Sequence, residues 1–256
     1  MSNAILNYSL QGTGRPLLIL HGLFGSSQNW KSHGRELAAD RAVYRVDLRN
    51  HGDSFHADSM DYASMAGDVE RLMQDRQLEQ ADVLGHSMGG KVAMVLARQF
   101  PRRVGRLIVA DIAPVTYAHE YDDVLLPLMR LDLEAVKSRS QAERMLEDDL
   151  PDRMLRQFLL QNLAISDGRA SWRINLPALA DAMPDITGFP DISDWRIETP
   201  SLFLRGANSP YVNADNWRII QHYFSHARLQ TLDNAGHWLH AEQPRPFLEA
   251  VRHFLA

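Results

Sequence analysis

The chain has 256 residues, 45% hydrophobic and 23% charged, with a net charge of −5 and no cysteine. That is apolar material enough for one large packed domain, or one domain with an insertion, and too much for a disordered chain. The lack of any basic run argues against a nucleic-acid groove, and the lack of cysteine excludes disulfides, a thiolate nucleophile and a thiolate zinc site.

Residues 1–10 show neither the basic segment nor the apolar core of a signal peptide, and no stretch approaches the roughly 20 apolar residues of a membrane-spanning helix. A cytoplasmic protein is expected. Residues 4–11 can form an edge strand or hairpin that turns at Gly12-Thr13-Gly14. Residues 16–20, Pro-Leu-Leu-Ile-Leu, are continuously apolar, as in a strand covered on both faces, and run into His21-Gly22-Leu23-Phe24-Gly25. Ser26 or Ser27 then caps a helix reaching about Ala39. Residues 42–46 make the next strand, followed by a polar loop over 47–54 in which Asp47 and Arg49 are expected to form an ion pair. Residues 62–78 read as a helix with Met65, Val69, Leu72 and Met73 on one face. A strand ending at Gly85, a helix over 91–100 and a strand over 104–110 follow.

The strand–helix rhythm then stops. Residues 115–195 show mostly helical periodicity, with Met154, Leu155, Phe158, Leu159 and Leu163 at helical spacing, a capping box at Ser140 and Glu143, and a short extended piece over 172–176. Arg153, Arg156, Arg169 and Arg173 in this stretch read as a solvated face. The rhythm resumes with a strand over 200–204, a helix over 214–224, a strand over 228–232 and a last helix over 244–255. Repeated strand–helix units imply a mainly parallel sheet with helices on both faces. Residues 1–114 and 196–256 thus form a core, and 115–195 are expected to be a helical cap inserted at the carboxyl ends of the strands, where such sheets bind ligands.

Gly85-His86-Ser87-Met88-Gly89 places a serine at a strand-to-helix corner, in strained backbone with its hydroxyl above the sheet edge. The Met88 N–H and the helix N-terminus converge on the same point, which suits a developing negative charge. A serine hydroxyl needs a base to take its proton, and His237, in a loop after the last strand, is the best candidate. A third group must hold that imidazole, and the order serine, acid, histidine fits the architecture.

These features resemble the α/β-hydrolase superfamily from end to end. Finer motifs resemble the YbfF-type esterase group: His21-Gly22-Leu23-Phe24-Gly25, Asp47-Leu48-Arg49-Asn50-His51-Gly52, Gly85-His86-Ser87-Met88-Gly89-Gly90-Lys91, Asp111-Ile112-Ala113-Pro114, Asn208-Ser209-Pro210-Tyr211-Val212 and residues 236–242. The resemblance implies an eight-stranded, mostly parallel sheet flanked by helices. It implies hydrolysis of short- to medium-chain carboxylic esters, with acyl-CoA thioesters as a further class, and no metal or organic cofactor. Oxyanion donors are expected at the Met88 and Leu23 amides, and Phe24 should line the acyl pocket, joined at substrate-binding positions by His119, Phe158, Trp172 and Trp238.

The acid departs from the commoner superfamily pattern. The usual loop, after residues 200–204, carries Asn208 and Ser209, neither of them charged. Asp111 ends the strand beside that of Ser87 and, as the resemblance implies, is expected to orient His237; Asp215 is the alternative, although it suits the first turn of the next helix. His21, His86 and His240 read as structural, and His51, His119, His237 and His240 lack the spacing of a metal site. The partner is a small acyl ester or thioester, with no nucleic acid and no membrane span; oligomeric state is not legible. Two other functions fit the same three residues: carbon–carbon bond hydrolysis of diketone-like substrates, and a slow-turnover ligand receptor.

Overall fold

A computed structural model describes residues 4–118 and 121–256. Seven strands form the main sheet: β1 Tyr8–Gln11, β2 Arg15–Leu20, β3 Arg41–Val46, β4 Ala81–His86, β5 Val104–Ala110, then, past a two-stranded hairpin of β6 Leu163–Ser166 and β7 Arg169–Trp172, β8 Ser201–Gly206 and β9 Ala227–Leu232. Their order is β1-β3-β2-β4-β5-β8-β9. Only β1 runs antiparallel to its neighbour; every other pair is parallel. The continuous apolar runs have their cause here, since Leu17 to Leu20 of β2 and all of β4 are buried with helices on both faces.

The expected eighth strand is missing among the described residues. The stretch before β1 is held by the 47–54 loop instead: the Asn7 N–H donates to Ser54 Oγ at 2.8 Å, its carbonyl accepts from Asp47 N at 2.9 Å, and its side chain donates to Asp47 Oδ2 at 2.7 Å.

On one face lie α1 Lys31–Leu37 and the last helix, α11 Pro244–Leu255, enclosing Trp30, Leu84 and Phe247. On the other lie α2 Tyr62–Asp75 and α3 Met88–Gln99, with Met65, Val69, Leu72 and Met73 of α2 fully buried. Between β5 and β8 the chain leaves the sheet through α4 Asp122–Arg130, α5 Arg139–Met145, α6 Arg153–Leu159, the β6–β7 hairpin, α7 Leu176–Asp181 and α8 Met183–Thr187. The hairpin turns on Asp167 and Gly168, both at positive φ, the preferred chemistry for a two-residue turn. α9 Ala214–Tyr223 and the short α10 Leu239–Glu242 complete the fold.

Three local expectations are corrected. Arg49 pairs with Asp68 at 2.6 Å rather than with Asp47, because Asp47 is turned inward to accept the Ser27 and Asp53 amides. The helix expected to start after Ser140 starts after Ser138, whose side chain accepts from Gln141 N, while Gln141 Oε1 accepts from Lys137 N at 2.9 Å. Among the four arginines expected on a solvated face, Arg156 is buried, with Leu150 O and Glu147 as partners.

The corner between β4 and α3 tolerates no side chain at Gly85, where a Cβ would stand 2.2 Å from Gly89 O and 2.6 Å from Gly90 N. Gly67 in α2 is the opposite case, since a Cβ added there would meet nothing within 4 Å. Gly85→Ala should therefore destabilise the fold by about 2 kcal/mol or more, whereas Gly67→Ala should stabilise it by about 0.5–1 kcal/mol. Urea midpoints of the two variants check this; equal shifts of the same sign would contradict it.

Candidate active site

Ser87 sits between β4 and α3 at φ 52° and ψ −121°, a conformation forbidden to most side-chain-bearing residues and held because both flanking elements are fixed. Its N–H donates to Ala110 O at 3.0 Å, which ties the corner to the end of β5. Asp111 follows β5 directly, also at positive φ (54°), and its N–H donates to Leu204 O of β8 at 2.8 Å. Because β4, β5 and β8 are adjacent, Ser87 and Asp111 emerge side by side at the carboxyl edge. His237 reaches them from the loop after β9. Its Nδ1 lies 2.8 Å from Asp111 Oδ2 and its Nε2 3.1 Å from Ser87 Oγ. A carboxylate oxygen accepts, so Nδ1 carries the proton and Nε2 is left to accept from the Ser87 hydroxyl.

Asp111 is wholly buried and takes two further hydrogen bonds, from Gly206 N at 3.1 Å and from the Ser209 hydroxyl. Asp215, by contrast, lies in the first turn of α9, 84% exposed, paired with Arg218 and away from the histidine.

The Leu23 and Met88 amides donate to no acceptor among the described residues. Met88 N is the first amide of α3; Leu23 N lies in the turn after β2, closed by Gly25 N–H donating to Gly22 O at 3.0 Å. Neutral imidazoles hold that turn. Phe24 N–H donates to His51 Nε2 at 3.2 Å, and Leu48 N–H donates to His21 Nε2 at 3.0 Å. His86 Nε2 donates to the His237 carbonyl at 2.8 Å, fixing the backbone there, and His240 stacks on Trp30 at 4.4 Å. Burial pulls His21 and His86 below the usual histidine range and His51 and His240 down to about 3. Burial alone would raise the Asp47 carboxyl, but its hydrogen bonds from Ser27 N, the Asn7 side chain and Asp53 N keep it below normal.

A cavity of about 300 Å³ opens above Ser87 and His237. Phe24, Phe158 and Trp238 line it, together with Tyr121 and Val124 at the start of α4 and Leu155 of α6. Trp172 stands elsewhere: it is on β7, half-buried against the core. His119 lies outside the described residues. Two contributors were not anticipated. Tyr211 stacks on the His237 ring at 4.2 Å with 26° between planes, and Ser209 bonds Asp111. Both belong to the loop after β8, where the commoner superfamily pattern has its acid; Tyr121 and Val124 left no signal, and the helical spacing that marks Leu155 does not say that it faces the site, because helix packing decides that. Among the described residues no three His, Cys, Asp or Glu side chains group to hold a metal ion.

A strand-corner serine, a histidine from the last loop and a buried aspartate on a parallel sheet define a hydrolase scaffold. The model of the family described as "alpha/beta hydrolase fold" matches residues 15–244, and the chain belongs to that family. It is 39% identical to the sn-1-specific diacylglycerol lipase ABHD11 of Danio rerio, over 96% of this chain and 80% of that protein. It is 36% identical to esterase YbfF of Escherichia coli, over 96% of this chain and 94% of that one. The solved structure titled "Marine microorganism esterase" superposes with a TM-score of 0.95 at 37% identity, covering 98% of this chain and 99% of the other.

The buried histidines carry a pH consequence. Folded, they bind protons only well below the unfolded pKa of about 6.5, so the unfolded chain binds more protons and stability drops as pH falls below that value. For His51 and His240 the loss continues down to about 3. Urea midpoints should decline steadily from pH 6.5 to 4; a midpoint unchanged down to pH 4 would show that these rings are not buried neutral.

Proposed function

We propose that the chain is a serine-dependent carboxylic ester hydrolase acting on short- to medium-chain acyl esters, with acyl-CoA thioesters as a further substrate class. The observation that carries the reading is the continuous contact Ser87–His237–Asp111, at 3.1 and 2.8 Å. His237 Nε2 takes the hydroxyl proton as Ser87 Oγ attacks the ester carbonyl. The carbonyl oxygen, now negative, is received by the Leu23 and Met88 amides, each worth about 3 kcal/mol of barrier in comparable sites. The protonated imidazole, stabilised by Asp111, gives its proton to the leaving alcohol and the acyl group stays on Ser87. Water, deprotonated by His237, then attacks the acyl-enzyme and releases the acid.

Ester cleavage is favoured over carbon–carbon cleavage because the similar proteins above are named as a lipase and esterases. Residues 115–195 serve as a cap: Val124, Leu155 and Phe158 roof the cavity and set which chains fit. No helix among the described residues is long and apolar enough to cross a membrane.

The acid assignment is the sharpest point to test. Asp111→Asn should lower turnover by about 10⁴-fold while the fold persists, because the amide cannot keep the Nδ1 proton in place. Asp215→Asn should be nearly silent. Steady-state rates on an acyl ester decide it, and the reverse pattern would move the acid to the later loop.

A further inference from the structure

One loop, between β8 and α9, touches both Asp111 and His237. Ser209 bonds the Asp111 carboxylate, and two residues further on the Tyr211 ring lies over the His237 ring, 4.2 Å between centroids and 26° from parallel. The other rings beside His237 are more tilted, His86 at 4.8 Å and 41° and Trp238 at 6.3 Å and 55°. The reaction steps above use Ser87, His237 and Asp111 and leave Tyr211 without a part.

Two hydrogen bonds hold the imidazole at its edge, Nδ1 to Asp111 Oδ2 at 2.8 Å and Nε2 to Ser87 Oγ at 3.1 Å. Bonds at the edge resist sliding of the ring within its plane. They resist tilting poorly, and the outer torsion of a histidine side chain is broad. A flat partner against the face supplies the missing restraint, since stacked rings attract beyond the area they bury. The electron-rich face of a tyrosine also favours the cation that forms when the imidazole takes the Ser87 proton.

The partner is itself fixed. Tyr211 O accepts from the Tyr117 hydroxyl at 2.7 Å and from Asn216 Nδ2 of α9 at 2.8 Å. Its N–H donates to Ser209 Oγ at 3.4 Å, and Pro210 between them stiffens the turn. Its hydroxyl is hydrogen-bonded to that of Tyr121, the residue before α4. Burial pushes the Tyr211 hydroxyl up, so the ring meets His237 as a neutral phenol.

We propose that Tyr211 is a positioning residue for ester cleavage: its anchored ring, laid against one face of the imidazole, keeps His237 Nε2 aimed at Ser87 and steadies the imidazole while it carries the proton. The inference rests on His237 being the base proposed above.

Tyr211 also lines the cavity, so the test must separate aim from binding. Tyr211→Leu should lower kcat on p-nitrophenyl butyrate by about 10- to 100-fold, the cost of a misplaced group, with little change in KM. Phosphonate labelling of Ser87 should slow in step. Tyr211→Phe, which keeps the ring and loses only the hydroxyl, should retain most of the wild-type kcat. A ring that only lines the cavity would raise KM and leave kcat alone. A residue that only anchors its loop would lower the urea midpoint of Tyr211→Leu and leave kcat alone. Either result overturns the inference, as does a Phe variant no faster than the Leu variant. If Tyr211→Leu does not fold, Asn216→Ala decides: it removes a donor to Tyr211 O from a residue outside the cavity lining, and it should lower kcat without moving KM. An unchanged kcat there overturns the inference. His237→Ala separates the two readings. If it stays active, the base and Tyr211 fall together; if it is inactive while Tyr211→Leu keeps the wild-type kcat, only the role of Tyr211 falls.

Discussion

The site depends on a buried carboxylate. Asp111 is fully inaccessible at the end of β5, and an unpaired charge there would cost several kcal/mol. It is stabilised by hydrogen-bond donors from three parts of the chain: Gly206 N at the end of β8, the Ser209 hydroxyl in the loop that follows, and Nδ1 of His237 beyond β9. Each donor is set by the sheet order that puts β5 beside β8 and β8 beside β9. The same order puts β4 on the other side of β5, which is why Ser87 is within reach. A shift of any of these strands would leave Asp111 short of a partner, so the demand for paired charge and the alignment of Ser87, His237 and Asp111 reinforce each other.

A second constraint is close backbone packing. The strained Ser87 corner exists only because Gly85 and Gly89 let strand and helix pass with almost no gap, a Cβ at Gly89 standing 2.5 Å from His21 O. The turn carrying the Leu23 amide is then pressed against the corner and held by His21 and His51, which act as acceptors only while neutral. Burial keeps them so. The cluster of histidines thus reads as scaffolding around the imidazole proposed as the base: His237 is partly exposed, whereas His21, His51 and His86 are buried.

Much of this is legible in the chain because it is local. The continuous apolar run over 16–20 marks β2, shorter apolar stretches mark β4 and β5, and the helix over residues 244–255 has the predicted bounds. The glycines around Ser87 announce the corner. What sequence left unread depends on contacts between distant segments. Asp47 and Arg49 are near neighbours in the chain, yet each has its partner elsewhere, Asp47 in amides and Arg49 in Asp68. The β6–β7 hairpin carries an Asp167-Gly168 turn that its dipeptide advertises, but the flanking residues alternate too weakly to stand out as strands. Ser209 shows both sides: a neutral residue in the usual acid loop signals that the acid has gone elsewhere, but that its hydroxyl bonds the relocated Asp111 follows only from the fold.

The most direct measurement is covalent labelling of the whole protein with a p-nitrophenyl alkylphosphonate, read by mass spectrometry of the intact chain and its peptides. Attack by an activated serine should add one phosphonyl group per chain, located on the peptide containing Ser87, with loss of esterase activity in step. The label should be absent from Ser87→Ala. Stoichiometric labelling of another residue, or labelling that persists in Ser87→Ala, would contradict the assignment of Ser87 as the group that carries the acyl intermediate.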